Sequence, residues 1–263
     1  MEKTSIIFSP HPDDACLGCG GVISKKIKSG EKVIIVDVTD GRNSHLLTFG
    51  IGKDPTPRET AILRKNEEIN AMNLLGVPKE NIYFLDYEDG FLYENDDDAR
   101  KKIFEIIKKI KPSEIYIPCL EDSIQDHVFT NIIVKESLKR LNLDVEVYEY
   151  FIQARPKFEK TYKKDIIKID ISDEIDKKKT AIQFYKSQIT KFSSNQKTPV
   201  LEDEFLNYFY NDKELFRKID SHDNINIVKY LPILFKIKFI IPIYLNLKFR
   251  QARLKEFKSS VSL

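Results

Sequence analysis

Six residues near the start of the chain, Ser9-Pro10-His11-Pro12-Asp13-Asp14, stand where the first apolar run, Ile6-Ile7-Phe8, ends. An imidazole and two adjacent carboxylates are costly beside a core unless a cation or a set of donors satisfies them. Pro10 and Pro12 restrict the backbone around His11 and hold its ring in place. Neutral imidazole with carboxylate suits zinc and its divalent neighbours, so hydrolysis at a metal is the chemistry expected here. The plainer fate of Asp13-Asp14 is to cap a helix. The chain has only four histidines, and a second one sits in a similar pair, Asp126-His127. There Asp126 is a candidate to orient a ligand histidine from behind. Cys16-Leu17-Gly18-Cys19 has the spacing of a redox pair but lacks the aromatic and proline context of one. Gly18-Cys19-Gly20-Gly21, read as a turn, does not keep the Gly-x-Gly-x-x-Gly spacing of a dinucleotide loop.

Side chains of this kind need a frame to bring them together. Strands are expected over 5–9, 32–39, 81–85, 114–118, 146–151 and 166–171, where β-branched apolar runs occur. Amphipathic stretches near 20–29, 57–75, 97–110, 127–141 and 172–192 read as the intervening helices, the last capped by Ser172. Such alternation predicts βαβ units, that is, a mostly parallel sheet with helices on both faces in a three-layer α/β/α fold. In such sheets ligands bind outside the carboxyl ends of the strands. His11 to Asp14, Thr39-Asp40-Gly41, Asp86 to Asp89 and Asp122 to His127 each follow a predicted strand and so converge on one edge.

With 263 residues, a domain over 1–221 and an extension over 222–263 are expected. Lys+Arg number 43 and Asp+Glu 41, and the basic residues are scattered, so a nucleic-acid partner is not expected. Three cysteines fit a reducing compartment, and no apolar export segment precedes the first strand, so a cytoplasmic protein is expected. Residues 225–249 mix aliphatic and aromatic side chains with Lys229, Lys236, Lys238 and Lys248, and Pro232 and Pro242 interrupt them. They are too broken to span a bilayer. Packing on the chain's own core, contact with a second subunit in a homo-oligomer, and peripheral contact with the inner face of a membrane remain the three fates open to them.

Pro10-His11-Pro12-Asp13-Asp14 followed by Leu17-Gly18-Cys19-Gly20-Gly21 resembles the signature of the PIG-L/LmbE family of zinc-dependent de-N-acetylases. Weaker matches follow in order over roughly residues 4–192. They are Thr39 to Arg42 with Ser44-His45, Leu63-Arg64 through Gly76, Phe84-Leu85 with Asp89-Gly90, Asp126-His127, and Lys179 through Gln188. The resemblance implies a Rossmann-like core and an N-acetylated amino-sugar conjugate as substrate. It also implies Zn2+, or another divalent metal, on His11, Asp14 and His127, with Asp13 as general base. Arg64, Asp40 and His45 then become the candidates for substrate contact, with Arg42 and Arg58 behind them. Two positions depart from the family pattern: Ala15 replaces a glutamate, and Ile124 stands where the first histidine of His-x-Asp-His falls. Isoleucine cannot donate to an oxyanion, which leaves His45, Gln125 and Tyr116 as substitutes. The alternative to an enzyme is a weakened, metal-containing sugar-binding protein.

Overall fold

Seven strands lie in the order β3-β2-β1-β4-β5-β7-β6 in the computed structural model, which describes residues 3–122, 124–156 and 165–221. The 222–263 extension, with its 225–249 stretch, lies outside the described residues. The chain runs β1 (Thr4–Ser9), α1 (Asp14–Lys28), β2 (Lys32–Thr39), α2 (Ser44–Phe49), α3 (Pro57–Leu75), β3 (Ile82–Tyr87), α4 (Asp96–Ile110), β4 (Glu114–Pro118), α5 (Gln125–Leu141) and β5 (Glu146–Tyr150). It continues with β6 (Ile167–Asp170), α6 (Ile175–Ile182), α7 (Lys186–Ile189), α8 (Asp203–Leu206) and β7 (Lys213–Ile219). Strands β1 to β5 pair in parallel, whereas β7 is antiparallel to both β5 and β6.

Both faces of the parallel strands are apolar because helices cover both. Ile7, Val33, Ile35 and Tyr116 face a layer built from α1, α3 and α6. Ile6, Phe8, Ile34, Val36, Ile115 and Ile117 face the layer of α4 and α5. The chain winds outward from β1 through β2 to β3, then returns past β1 to β4 and β5. The crevice between β1 and β4 is therefore the topological switch point, where open α/β sheets bind ligands.

Several elements differ from the sequence expectation. Gly18, Gly20 and Gly21 form no turn but lie inside α1, which already starts at Asp14. A Cβ on Gly18 would stand 2.6 Å from the Tyr150 ring, and one on Gly21 would stand 2.7 Å from Cβ of Ile171. Close packing against neighbouring elements thus offsets the cost of glycine in a helix, about 1 kcal/mol each. The expected 172–192 helix is two short ones, α6 and α7, and Ser172 bonds Asp170 instead of capping. Strand β7 went unpredicted because charges break its apolar pattern. Glu214 is buried there and accepts from Lys178 Nζ at 2.7 Å and from the backbone N–H groups of Gly21 and Val22. Among the described residues, no helix is long and apolar enough to cross a membrane.

Candidate active site

The turn that follows β1 is built by its own polar atoms. The Ser9 hydroxyl donates to the His11 carbonyl at 2.6 Å and accepts from the Ala15 N–H at 3.2 Å. The Asp14 carboxylate accepts from the His11 N–H at 3.0 Å. Asp13 precedes α1, yet its side chain makes no cap bond to the helix. Its carboxylate instead meets the Arg64 guanidinium at 2.7 Å. Arg64 is buried and also donates to the carbonyls of Pro12 at 2.8 Å and Gly41 at 3.4 Å. Gly41 sits at φ 64°, and a Cβ there would fall 2.4 Å from the Arg64 guanidinium, so only glycine lets the arginine pass.

His11, Asp14 and His127 meet at the switch point. Nδ1 of His11 and Oδ2 of Asp14 are 3.2 Å apart, Nε2 of His127 and the same oxygen 3.2 Å, and the two ring nitrogens 3.3 Å. A tetrahedral ion with bonds of about 2.0–2.1 Å needs donor–donor edges of roughly 3.3 Å, so these three atoms fit a divalent metal. The far nitrogen of each ring is engaged by carboxylates. Nε2 of His11 lies 3.2 Å from both Asp89 and Asp126, and Nδ1 of His127 lies 2.8 Å from Asp122. In the neutral rings, protons on those nitrogens leave both lone pairs facing the shared point. A second group, His11 with Asp89 and Asp126, is less suited to an ion. Its oxygens already accept from the backbone N–H groups of Asn43, Gly90 and Leu92.

The charges are strongly coupled. Burial disfavours the charged form of His127, but Asp14 and Asp122 outweigh it and raise its pKa to about 9. His11 is raised in the same way by Asp126, Asp14 and Asp89. Burial raises Asp14 too, but the two histidines more than reverse this and hold it far below the usual range. Burial pushes Asp13 up to about 7 although Arg64 opposes it. Behind the site, burial lifts Glu68 to about 8 while it accepts from the Tyr185 hydroxyl at 2.6 Å.

A cavity of about 300 Å³ opens over these groups, with His11, Asp13, Asp14, Arg64, Asp89 and His127 on its floor. Its walls mix Leu17, Ile124, Ile152 and Leu201 with Ser44, Gln153 and Gln188. Of the residues expected from sequence, Asp126 stands directly behind His11. Asp40 and His45 do not line the cavity. The Asp40 carboxylate is taken up by Arg42, and the His45 ring packs against Phe49 and Phe192, where burial lowers its pKa to about 4. Nor do the other two substitutes for Ile124 reach it. The Gln125 amide donates to the Gly90 carbonyl, and Tyr116 stacks on Tyr148 with its hydroxyl on Glu114. Asp89, Asp122, Gln153 and Gln188 belong to the site without having been chosen as site residues. Position after a strand was the available signal for the first three. Cys16, Cys19 and Cys119 are free and buried, with thiols pushed up by burial, which suits packing and not redox exchange.

Fold and site together define a doubly wound α/β protein with three side chains at its switch point that could hold a metal ion. The chain belongs to the PIG-L family, described as GlcNAc-PI de-N-acetylase, which residues 6–138 match. Diacetylchitobiose deacetylase of Thermococcus kodakarensis is 31% identical over 198 residues, 71% of this chain and 70% of that one. A probable N-acetyl-alpha-D-glucosaminyl L-malate deacetylase 2 of Bacillus cereus is 25% identical over 192 residues, 72% of this chain and 84% of its own. Among solved structures, N,N'-diacetylchitobiose deacetylase from Pyrococcus horikoshii, in complex with an inhibitor, superposes with a TM-score of 0.64 at 26% identity. That match covers 83% of this chain and 84% of that one.

Proposed function

We propose that this chain hydrolyses the N-acetyl group of an N-acetylglucosamine-type sugar conjugate at a divalent metal held by His11, Asp14 and His127. The observation that carries this reading is the triangle of three donor atoms, 3.2–3.3 Å on a side, with Asp13 beside it on the cavity floor. When bound, zinc or a similar ion supplies a Lewis acid and lowers the pKa of its water to about 7. Asp13 lies outside the triangle, and Arg64 orients it. As the general base, it takes the proton from the attacking water and returns it to the leaving amine. Asp122 and Asp126 keep the histidine protons on the far nitrogens throughout. The two curated relatives, named for deacetylating diacetylchitobiose and an N-acetylglucosaminyl malate, support the amino-sugar class. No observation favours a binding protein without turnover. The lysine-bearing apolar stretch 225–249 supports an added, reversible contact with an anionic membrane surface.

The test couples metal content by elemental analysis to primary-amine release over a panel of N-acetylglucosamine conjugates. His11→Ala and His127→Ala should each lose most of the metal, and full occupancy in both would remove the site. Asp13→Asn should keep the metal and lose ~10²–10⁴ in amine release, so a loss below about fivefold would reject its role.

A further inference from the structure

The half-buried Ile124 forms the wall beside His127 and offers no hydrogen (it is the residue before the first turn of α5). An acyl-transfer site needs donors aimed at the oxygen on which negative charge develops. Most polar side chains on the cavity wall are already engaged. The Gln188 amide donates to Ser187 Oγ at 2.7 Å and to Ser44 Oγ at 3.4 Å. The guanidinium of Arg64 is held by Asp13 and by two backbone carbonyls. Thr48, exposed and with no side-chain hydrogen bond to any described residue, stands on α2 after β2, two strands away from β4, whereas Gln153 follows β5, which pairs with β4.

Gln153 differs from the engaged groups. On either side of it the backbone is clasped by one carboxylate. Asp122 accepts from the Ile152 N–H at 3.1 Å and from the Ala154 N–H at 2.9 Å. The same carboxylate holds His127. Gln153 lines the cavity, is exposed, and has no hydrogen bond to any described residue. Resting on the hydrolase reading above, we propose that Gln153 is the donor that Ile124 cannot be. Its side-chain N–H donates to the acetamide oxygen as the attacked carbon becomes tetrahedral. A primary amide has no proton to lose across the working pH range, so this donor stays constant where a histidine would titrate.

The experiment compares wild type, Gln153→Ala, Gln153→Glu, Ile124→His and the Gln153→Ala/Ile124→His pair, all metal-loaded, on N,N'-diacetylchitobiose and other N-acetylglucosamine conjugates. Gln153→Ala should lower kcat by ~10²–10³ while KM moves less than about threefold. Gln153→Glu, which keeps the size but not the donor, should fall equally. Ile124→His should do little alone, yet restore at least about tenfold of the rate in the Gln153→Ala background, with a new pH limb from the histidine. By calorimetry, the N-methylphosphonamidate of glucosamine, a tetrahedral mimic, should lose affinity with Gln153→Ala in step with kcat. A kcat within about threefold of wild type, or a loss confined to KM, would overturn the assignment and make Gln153 a sugar contact or a bystander. Wild type that releases no amine from any conjugate would overturn the hydrolase reading and this inference with it.

Discussion

Asp122 meets three demands at once: it fixes the ring of His127, ties the loop after β5 through Ile152 and Ala154, and accepts from Cys119 Sγ at 3.4 Å. Loss of such a partner to a ligand histidine typically costs 10–100-fold in metal affinity, and Asp122→Ala should do so, read by chelator competition. A stronger effect than that of Asp126→Ala is expected because the His127–Asp122 contact, at 2.8 Å, is closer than His11–Asp126 at 3.2 Å. At this scale the sequence was legible where chemistry is dense. His11, Asp13 and Asp14 fall within four consecutive residues, and His127 is one of only four histidines. Asp122 was legible only as a polar residue on the binding edge; its grip on His127 was not, because that contact depends on how the chain folds back between the end of β4 and the start of α5. The substitutes for Ile124 failed for a related reason. Polarity can be read from a residue's letter, but the direction of a side chain depends on the neighbour that captures it.

At the scale of elements, strand and helix periodicity recovered β1 to β5 and α3 to α5 closely, because the apolar strand runs and the amphipathic helix patterns extend over nearly the whole of each element. What escaped was every feature decided by contact between elements. The glycines of α1 read as a turn, yet they are the face on which α1 meets Tyr150, Lys178 and Ile171. Gly21→Ala would press a methyl group against Ile171 and displace the pair of backbone N–H groups that hold Glu214. Overpacking of this kind typically costs 1–3 kcal/mol, so the urea midpoint should fall with an unchanged slope. Gly30→Ala is the control: no neighbour lies within 4 Å there, and only its φ of 77° opposes the change. Strand β7 was hidden by the same kind of contact. Arg217, on β7, bonds both Glu149 and Glu121, and Lys135 reaches Glu149 at 2.7 Å, so charges that read as surface hold two strands and α5 together.

For the whole molecule, net charge is small, at +2, but the stretch 225–249 holds four lysines and no acidic residue. Lysines near anionic lipid contribute about 1 kcal/mol each, so vesicles of phosphatidylglycerol should sediment the full chain at low salt and release it at high salt. Deletion after residue 221 should abolish the sedimentation. A full chain that stays in the supernatant, with a truncated one that precipitates, would make the stretch part of the core. The reversed direction of β7 adds a constraint on orientation. Tyr150 pairs with Phe216 and Val147 with Ile219, so the chain climbs down from the cavity end of the sheet and leaves at the opposite pole. A surface that captured the chain close to that root would hold the enzyme with its mouth facing the aqueous phase. Substrate would then arrive from bulk water instead of sliding in along the plane of the lipid, and a support coupled at that pole would leave every active site open.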